Sequence, residues 1–281
     1  MQKIHQKQIH TQYLRHRKKF PHVWCPGCSN GIVMGAIIRA IGELEWKRSN
    51  TTMVSGIGCS SRMPVYVDLN TLHSLHGRAI AYATGIKMFK PEMDVMVVTG
   101  DGDATAIGGN HFIHAARRNI NLTVIVINNN IYGMTGGQYS PTTPTGDKAT
   151  TTPYGNIDPT FDICDLALGA GATFVARTSA YHAVEAQSFI KQGFEHNGFS
   201  LIEVISACPV IYGKINKKGD ASSMMKSMKE NIVPTQVFDK LPEENKEGKL
   251  KRGIFRKEIK PEYTDQYANL IDSVKVSKGD K

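Results

Sequence analysis

Val95-Met96-Val97-Val98-Thr99-Gly100-Asp101-Gly102 and Thr123-Val124-Ile125-Val126-Ile127-Asn128-Asn129-Asn130 decide the fold of this chain. Each is a β-branched, apolar run that stops abruptly at glycine or at polar side chains. A strand buried on both faces ends in this way at the carboxyl edge of a parallel sheet. The interval between the runs leaves room for one helix, from about Ala106 to Arg118, so the pair predicts a β-α-β unit. That edge is where open α/β sheets bind ligands. Asp101 and Asn129 place an acid and a carboxamide there, hard oxygen donors that suit a magnesium ion tied to a phosphate ester. Two ordinary turns of a β-α-β unit would not require an acid at one strand end and an amide at the other.

Outward from this unit the alternation continues. Apolar residues at helical spacing from Gly31 to Leu44 predict a helix directly after Cys25-Pro26-Gly27-Cys28, and Thr52 to Ser55 predicts a short strand before the loop Gly56-Ile57-Gly58-Cys59-Ser60-Ser61. A helix over Ala79–Met88 follows His76-Gly77-Arg78. Further elements are expected at 161–168 (helix), 172–176 (strand), 182–193 (helix) and 200–206 (strand), the last ending at Cys208-Pro209. The reading is an α/β chain with a mostly parallel sheet and helices on both faces, forming one domain over residues 23–212. Residues 1–22 read as a mobile amino-terminal arm, whose His5, His10, His16 and His22 are too irregularly spaced to form a metal site. Residues 213–281 read as an extended, charged, weakly periodic tail suited to contacting a partner subunit. Between them, the Gly/Thr/Pro-rich stretch from Gly133 to Pro159 offers little to a core, and loops of that length are usually functional or disordered. Tyr132 and Thr135-Gly136-Gly137-Gln138 at its start favour function.

The chain has 281 residues, enough to bury a sizeable core, and a formal net charge of +9. The basic excess gathers at Arg15, Arg17, Lys18 and Lys19 and again at Lys246, Lys249, Lys251, Arg252, Arg256 and Lys257. It suits an acidic partner such as a small ferredoxin, a nucleic acid or a membrane surface, or simply solvated ends or a subunit contact. The absence of a basic helix with interleaved aromatics argues against nucleic acid. No apolar stretch approaches the roughly 20 residues that span a bilayer. The amino terminus lacks a secretory pattern, and five cysteines, an odd number, argue for a reducing compartment; the expectation is a cytoplasmic protein.

Cys25-x-x-Cys28 alone is compatible with zinc, a redox dithiol or an iron–sulfur ligand pair. Cys59 in a loop after a strand and Cys208 at the end of another change the balance, because all fall at the same sheet edge and a 4Fe-4S cluster needs four thiolates. Structural zinc usually draws on two compact pairs, which this spacing does not offer. Cys164, between Ile163 and Leu166 on a helix, reads as a core thiol, with substitution for Cys208 as fourth ligand left open.

The acid-then-amide spacing of Asp101 and Asn129 resembles that of thiamine diphosphate enzymes. The full set of motifs resembles the β subunits of the 2-oxoacid:ferredoxin oxidoreductases over roughly residues 20–215. The motifs are Trp24-Cys25-Pro26-Gly27-Cys28, Gly56-Ile57-Gly58-Cys59-Ser60-Ser61-Arg62, His76-Gly77-Arg78-Ala79, Gly100-Asp101-Gly102-Asp103, Asn129-Asn130-Ile131-Tyr132-Gly133, Thr135-x-Gly137-Gln138 and Cys208-Pro209. The resemblance implies magnesium held by the side chains of Asp101 and Asn129 and the main-chain carbonyl of Ile131. It implies diphosphate contacts from Ser60, Gly102, Asp103 and Thr135, with Gly77, Gly100 and Gly133 in the cofactor-binding loops. Cys25, Cys28, Cys59 and Cys208 would hold the cluster. His76 would face diphosphate or substrate, or be a plain helix-start histidine; Arg62 would pair with a substrate carboxylate, or form a structural salt bridge.

The activity so implied is oxidative decarboxylation of a 2-oxo acid to its coenzyme A thioester, with electrons passing singly through the cluster to ferredoxin. Gln138 to Pro144 and Pro153 to Asn156 resemble the members that convert 2-oxoglutarate to succinyl-CoA, with pyruvate or branched-chain 2-oxo acids as alternatives. Arg62, Arg78 and Lys148 are the candidate partners for a second carboxylate. The chain departs from the commonest pattern at Ser29-Asn30, where Gly-His or Gly-Asp is frequent. The glutamate that activates the cofactor's pyrimidine comes, in such enzymes, from a pyrimidine-binding domain on an α subunit, so this chain should be catalytically incomplete alone. Two rival readings stand beside it: a non-oxidative thiamine-dependent decarboxylase, which needs no thiol cluster, and an electron-transfer or scaffolding subunit with a vestigial cofactor site.

Overall fold

The two apolar runs are neighbouring central strands. In the computed structural model, which describes residues 12–16 and 21–279, β3 (Asp94–Gly100) and β4 (Thr123–Asn128) pair in parallel with Gly100 opposite Ile127. The register sets the Asp101 turn beside the Asn128-Asn129-Asn130 turn. With β1 (Thr51–Ser55), β2 (Asn70–His73), β5 (Phe174–Ser179), β6 (Ser200–Ile205), β7 (Ile232–Pro234) and β8 (Leu250–Lys257) they form an eight-stranded sheet of order β2-β1-β3-β4-β6-β5-β8-β7. Every pairing is parallel except that of β5 with β8. The chain runs outward from β1 to β2 and then returns to the other side of β1 for β3. The direction of winding therefore reverses between β1 and β3, and a crevice opens at their carboxyl ends.

Alternate residues of the central strands feed two cores. Met96, Val98, Ile125 and Ile127 pack with Val33, Ile37 and Ile41 of α1 (Asn30–Glu43) and Ile190 of α5 (Ala183–Glu195). Val95, Val97, Val124 and Val126 pack on the other face with Ile80 and Ala83 of α2 (Ala79–Phe89), Phe112 of α3 (Gly109–Arg117) and Ile163 of α4 (Ile163–Gly169). A branched or aromatic side chain buried in this way stabilises by roughly 1.5–3 kcal/mol, so both faces are strongly specified. The expected single helix between β3 and β4 is in fact a π-helical turn, Asp103–Ile107, followed by α3. π turns inside helices concentrate at functional sites.

Two parts of the chain are more ordered than their composition indicates. Of the expected arm, residues 1–11 and 17–20, with His5, His10, Arg17, Lys18 and Lys19, lie outside the described residues. Residues 12–16 are anchored: Tyr13 is buried and donates to the Trp46 carbonyl, and Arg15 donates to the Val67 carbonyl and the Thr71 hydroxyl. Beyond residue 213, α6 (Ala221–Asn231) and β7 lead through α7 (Thr235–Phe238) to β8, which joins the main sheet beside β5, and α8 (Tyr263–Gly279) follows. β8 is half-exposed and rich in Lys and Arg, which hides its strand character from a hydrophobic pattern. Among the described residues no helix is long and apolar enough to cross a membrane.

Candidate active site

A cleft of about 200 Å³ sits at the crevice, lined among others by Ser60, His76, Asp101, Gly102, Asp103, Asn129, Ile131, Gly133 and Thr135. Asp101 is 2% exposed. Its Oδ2 accepts from the Ser140 hydroxyl at 2.5 Å and the Thr142 hydroxyl at 2.7 Å. Burial pushes its carboxyl above the usual range, and these neutral donors only partly offset the shift. No Lys or Arg lines the cleft among the described residues. A diphosphate therefore cannot enter a site already holding Asp101 and Asp103 unless a cation comes with it. The three asparagines of the next turn divide the work. Asn128 is buried and structural, donating to Glu203 Oε1 and accepting from the Asn130 N–H and Thr142. Asn130 takes a left-handed φ of 61°, which Asn tolerates better than most residues. Asn129 faces the cleft, its Oδ1 occupied only by a long 3.3 Å bond from the Ile131 N–H.

Asp103 does not offer its side chain to a ligand. Oδ1 accepts from the Gly77 N–H at 2.7 Å and meets His76 Nδ1 at 2.6 Å, and Oδ2 accepts from the Thr99 hydroxyl at 2.7 Å. The carboxylate is thus a strut joining the end of β3 to the loop before α2, and it turns His76 so that Nε2 is its remaining nitrogen. A ligand reaching Asp103 would meet its backbone N–H in the first turn of the π helix, where such groups lack intrahelical partners. Gly102 is required for packing: a Cβ there would stand 2.2 Å from the Tyr132 ring, whose hydroxyl donates to the Gly102 carbonyl. Burial, with the charges of Asp101 and Asp103, pushes the Tyr132 hydroxyl up to about 12, so it remains a donor.

The thiols of Cys25, Cys28, Cys59 and Cys208 gather at the neighbouring end of the cleft. A Cβ on Gly133 would lie 3.6 Å from Cys208 Sγ and 3.7 Å from Cys59 Sγ. Burial raises the Cys59 thiol to about 11, and the nearby sulfurs of Cys28, Cys208 and Cys25 each push it further in that direction. Burial also raises Cys28, with Cys208 and Cys25 adding to the shift and hydrogen bonds from Asn30 opposing it. Cys28 and Cys59 so placed favour the neutral thiol until a cation joins them. Among the described residues no group of three or more Cys, His, Asp or Glu is gathered into a site for a single metal ion. Ser29 brings the first pair to the last thiol: its Oγ accepts from the Ala207 N–H at 3.0 Å. Trp24 donates to the Cys59 carbonyl at 2.6 Å. Cys164 lies elsewhere, 1% exposed, with Sγ 3.3 Å from Glu203 Oε2; it is a core thiol.

Residues 56–204, more than half of the chain, match the family described as the thiamine pyrophosphate enzyme C-terminal TPP-binding domain. The 2-oxoglutarate synthase subunit KorB of Methanocaldococcus jannaschii is 51% identical over 94% of this chain and 97% of its own length. The KorB subunit of Archaeoglobus fulgidus is 45% identical over 94% of this chain and 95% of its own length. The chain belongs to the family of 2-oxoglutarate synthase β subunits. The fold agrees: the solved 2-oxoglutarate:ferredoxin oxidoreductase from Magnetococcus marinus, with 2-oxoglutarate, coenzyme A and succinyl-CoA bound, superposes with a TM-score of 0.81 at 32% identity, covering 98% of this chain and 92% of that one.

For a β subunit of this family, the placement of the expected substrate cations is informative. Arg62 is half-buried on the 3-10 turn Ser60–Val65 and does not line the cleft; Arg78 is paired with His111 at 2.7 Å, and Lys148 is not in the lining. Gly77 supports Asp103 rather than lining the cleft. Sequence reasoning missed Ser140, Thr142 and Thr143, which are buried although they belong to the Gly/Thr/Pro stretch. Thr143 donates to the Asn130 carbonyl at 2.6 Å, so this loop clamps both strand-end turns. The Gln138–Pro144 motif marked the loop as functional, but only the need of a buried acid for donors points to these hydroxyls.

Proposed function

We propose that this chain is the β subunit of a 2-oxoacid:ferredoxin oxidoreductase that decarboxylates 2-oxoglutarate oxidatively to succinyl-CoA, working with an α subunit and ferredoxin. The observation that carries the reading is a buried acid without a cation, Asp101, in the same cleft as the thiols. Asp101, Asn129 and the Ile131 carbonyl would hold magnesium; Ser60, Gly100, Gly102, Gly133, Thr135 and the Asp103 N–H would surround the diphosphate. Cys25, Cys28, Cys59 and Cys208 would hold a 4Fe-4S cluster. When bound, thiamine diphosphate supplies a carbanion sink for the 2-oxo acid, and the cluster supplies a one-electron path outward. The chain's own residues act around them. Asp103 fixes the His76 tautomer so that Nε2 can exchange a proton or a hydrogen bond with ligand in the cleft. Ile57, Ile127 and Met134 give the cleft an apolar wall beside it.

With no Lys or Arg in the lining, the second carboxylate of 2-oxoglutarate takes its cation from the partner subunit, which also brings the pyrimidine domain and its activating glutamate. Arg62 stays close enough in sequence to the thiol loop to take part once that partner is seated. The test is anaerobic co-expression with the α subunit. Iron, sulfide and thiamine should co-purify, and coenzyme A-dependent ferredoxin reduction should run with 2-oxoglutarate well ahead of pyruvate and branched-chain 2-oxo acids. The β chain alone should show no turnover. Zinc in place of iron and sulfide, or turnover without the partner, would overturn the proposal.

A further inference from the structure

Asn30, the first residue of α1, lies between the two halves of the site. It is 1% exposed and lines the cleft. Its Nδ2 stands 3.1 Å from Cys28 Sγ. Its Oδ1 is buried and has no hydrogen-bond partner. A thiolate only accepts, so the amide is oriented with nitrogen on sulfur and the carbonyl is left over. A buried acceptor without a donor is destabilising, and native folds leave few of them. An apolar side chain of similar size would have filled the space at no such cost.

We propose that Asn30 is a positioning residue that couples the two cofactors, donating through Nδ2 to the Cys28 thiolate and accepting through Oδ1 from an N–H or O–H on the organic end of the ligand in the cleft. The inference rests on the cluster and thiamine diphosphate of the proposed function. The diphosphate end is excluded as the partner of Oδ1, because phosphate oxygens only accept and that end belongs to Asp101 and Asn129. Asn30 therefore orients the ligand, with its organic end toward the thiols and its diphosphate toward the metal. On the sulfur side the N–H···S bond strengthens as the cluster gains an electron, because negative charge on sulfur grows; the bond thus favours the reduced state and raises the potential. One side chain would set both the ligand's position and the cluster's readiness to receive its electron.

The test uses anaerobic αβ holoenzyme carrying N30D or N30L, both with the branching and the number of side-chain heavy atoms of Asn. Iron and sulfide are measured first, then cluster potential by EPR-monitored titration, then thiamine diphosphate affinity by fluorescence on cofactor-depleted enzyme. Both variants lose the side-chain donor to sulfur and keep the backbone N–H of residue 30. At a fixed potential their reduced-to-oxidised ratio should fall about tenfold, a downward shift of ~59 mV for a one-electron couple. N30D keeps an acceptor for the ligand and N30L does not, so N30L should bind thiamine diphosphate about tenfold more weakly than N30D. Unchanged potentials in both variants, with clusters intact, would overturn the role on sulfur. Equal affinities in N30D and N30L, or a gain in magnesium affinity in N30D, would overturn the role of Oδ1. A wild-type enzyme without iron and sulfide would instead sink the underlying reading.

Discussion

Asp101 and Glu203 are both carboxylates at 2% exposure on or beside central strands, and the chain treats them in opposite ways. Glu203 faces Arg177 across the β5–β6 ladder, with Nε at 2.6 Å, and the same guanidinium reaches Asp162 at 2.6 Å. Its other oxygen accepts from Asn128. Asp101 receives two hydroxyls and no cation. A buried charge needs an opposite charge or a proton. The fold supplies that charge itself at Glu203 and supplies none at Asp101. One acid holds the sheet together and the other is the proposed ligand of magnesium; Thr142, whose single hydroxyl proton is shared between Asp101 and Asn128, links the two.

The largest test of this contrast is D101N in the holoenzyme. Magnesium-dependent thiamine diphosphate binding should weaken by more than ~100-fold and turnover should be lost, since a first ligand contributes at least as much as the outer-shell groups whose removal costs 10–100-fold. The same substitution should leave the metal-free chain as stable as wild type or more stable by about 1 kcal/mol, because it removes an unneutralised buried charge. A D101N protein that binds the cofactor normally would break the contrast at its functional end. E203Q should do the reverse. It strands Arg177 with only the partly exposed Asp162, and breaking a buried pair costs about 3 kcal/mol. Chemical denaturation should register that loss while metal affinity stays close to wild type. Unchanged stability in E203Q would show that the pair is dispensable to the fold.

How much of this was legible in the sequence follows the same division. β3 and β4 were visible because burial on both faces demands unbroken β-branched runs, and their ends were visible because Gly100-Asp101 and Asn128-Asn129 break those runs so sharply. Cys164 was visible as a core thiol from its apolar neighbours. β2 was not, since Asn70-Thr71-Leu72-His73 is a half-exposed edge with no hydrophobic signature. β8 was hidden by its basic residues, which lie at the surface while their backbone pairs with β5. Ser140 and Thr142 were hidden for another reason: a hydroxyl in a Gly/Thr/Pro stretch reads as loop until the acid it serves is known to be buried. Asn30 stood out only as a departure from the usual residue, and its meaning depends on which atom of its amide lacks a partner.

T142V probes the link between the two acids with a smaller effect. It removes one of the two hydroxyls on Asp101 and one of the acceptor bonds of Asn128 without altering bulk. Donors that hydrogen-bond a metal's ligand tune metal affinity by about 10–100-fold, and the lower end of that range is expected because Ser140 remains. Isothermal titration of magnesium with thiamine diphosphate present would measure it. A loss as large as that of D101N would mean that Thr142 is itself a ligand; no loss would mean that Ser140 alone orients Asp101.

The smallest effect distinguishes Asp101 from Asp162, the other acid paired with Arg177, by the sign of their response to pH. Burial raises the Asp101 carboxyl above its unfolded value. Its contribution to the metal-free fold is therefore fully present below the unfolded value and lost as pH rises through the folded one. For Asp162 burial works upward too, but the charge and hydrogen bond of Arg177 win and hold it below the usual range. Its contribution is present above the unfolded value, about 4, and lost as pH falls through the depressed folded value. Metal-free protein taken from neutral pH to just above 4 should gain slightly from Asp101 before it begins to lose from Asp162, a shift of no more than about 2 °C in Tm. In D101N the gain should vanish and the loss below pH 4 should remain. Magnesium with thiamine diphosphate should abolish the gain as well, because a bound cation holds Asp101 ionised and acidification then releases the metal. If the gain persists in D101N, the acid left unpaired by the fold is not Asp101.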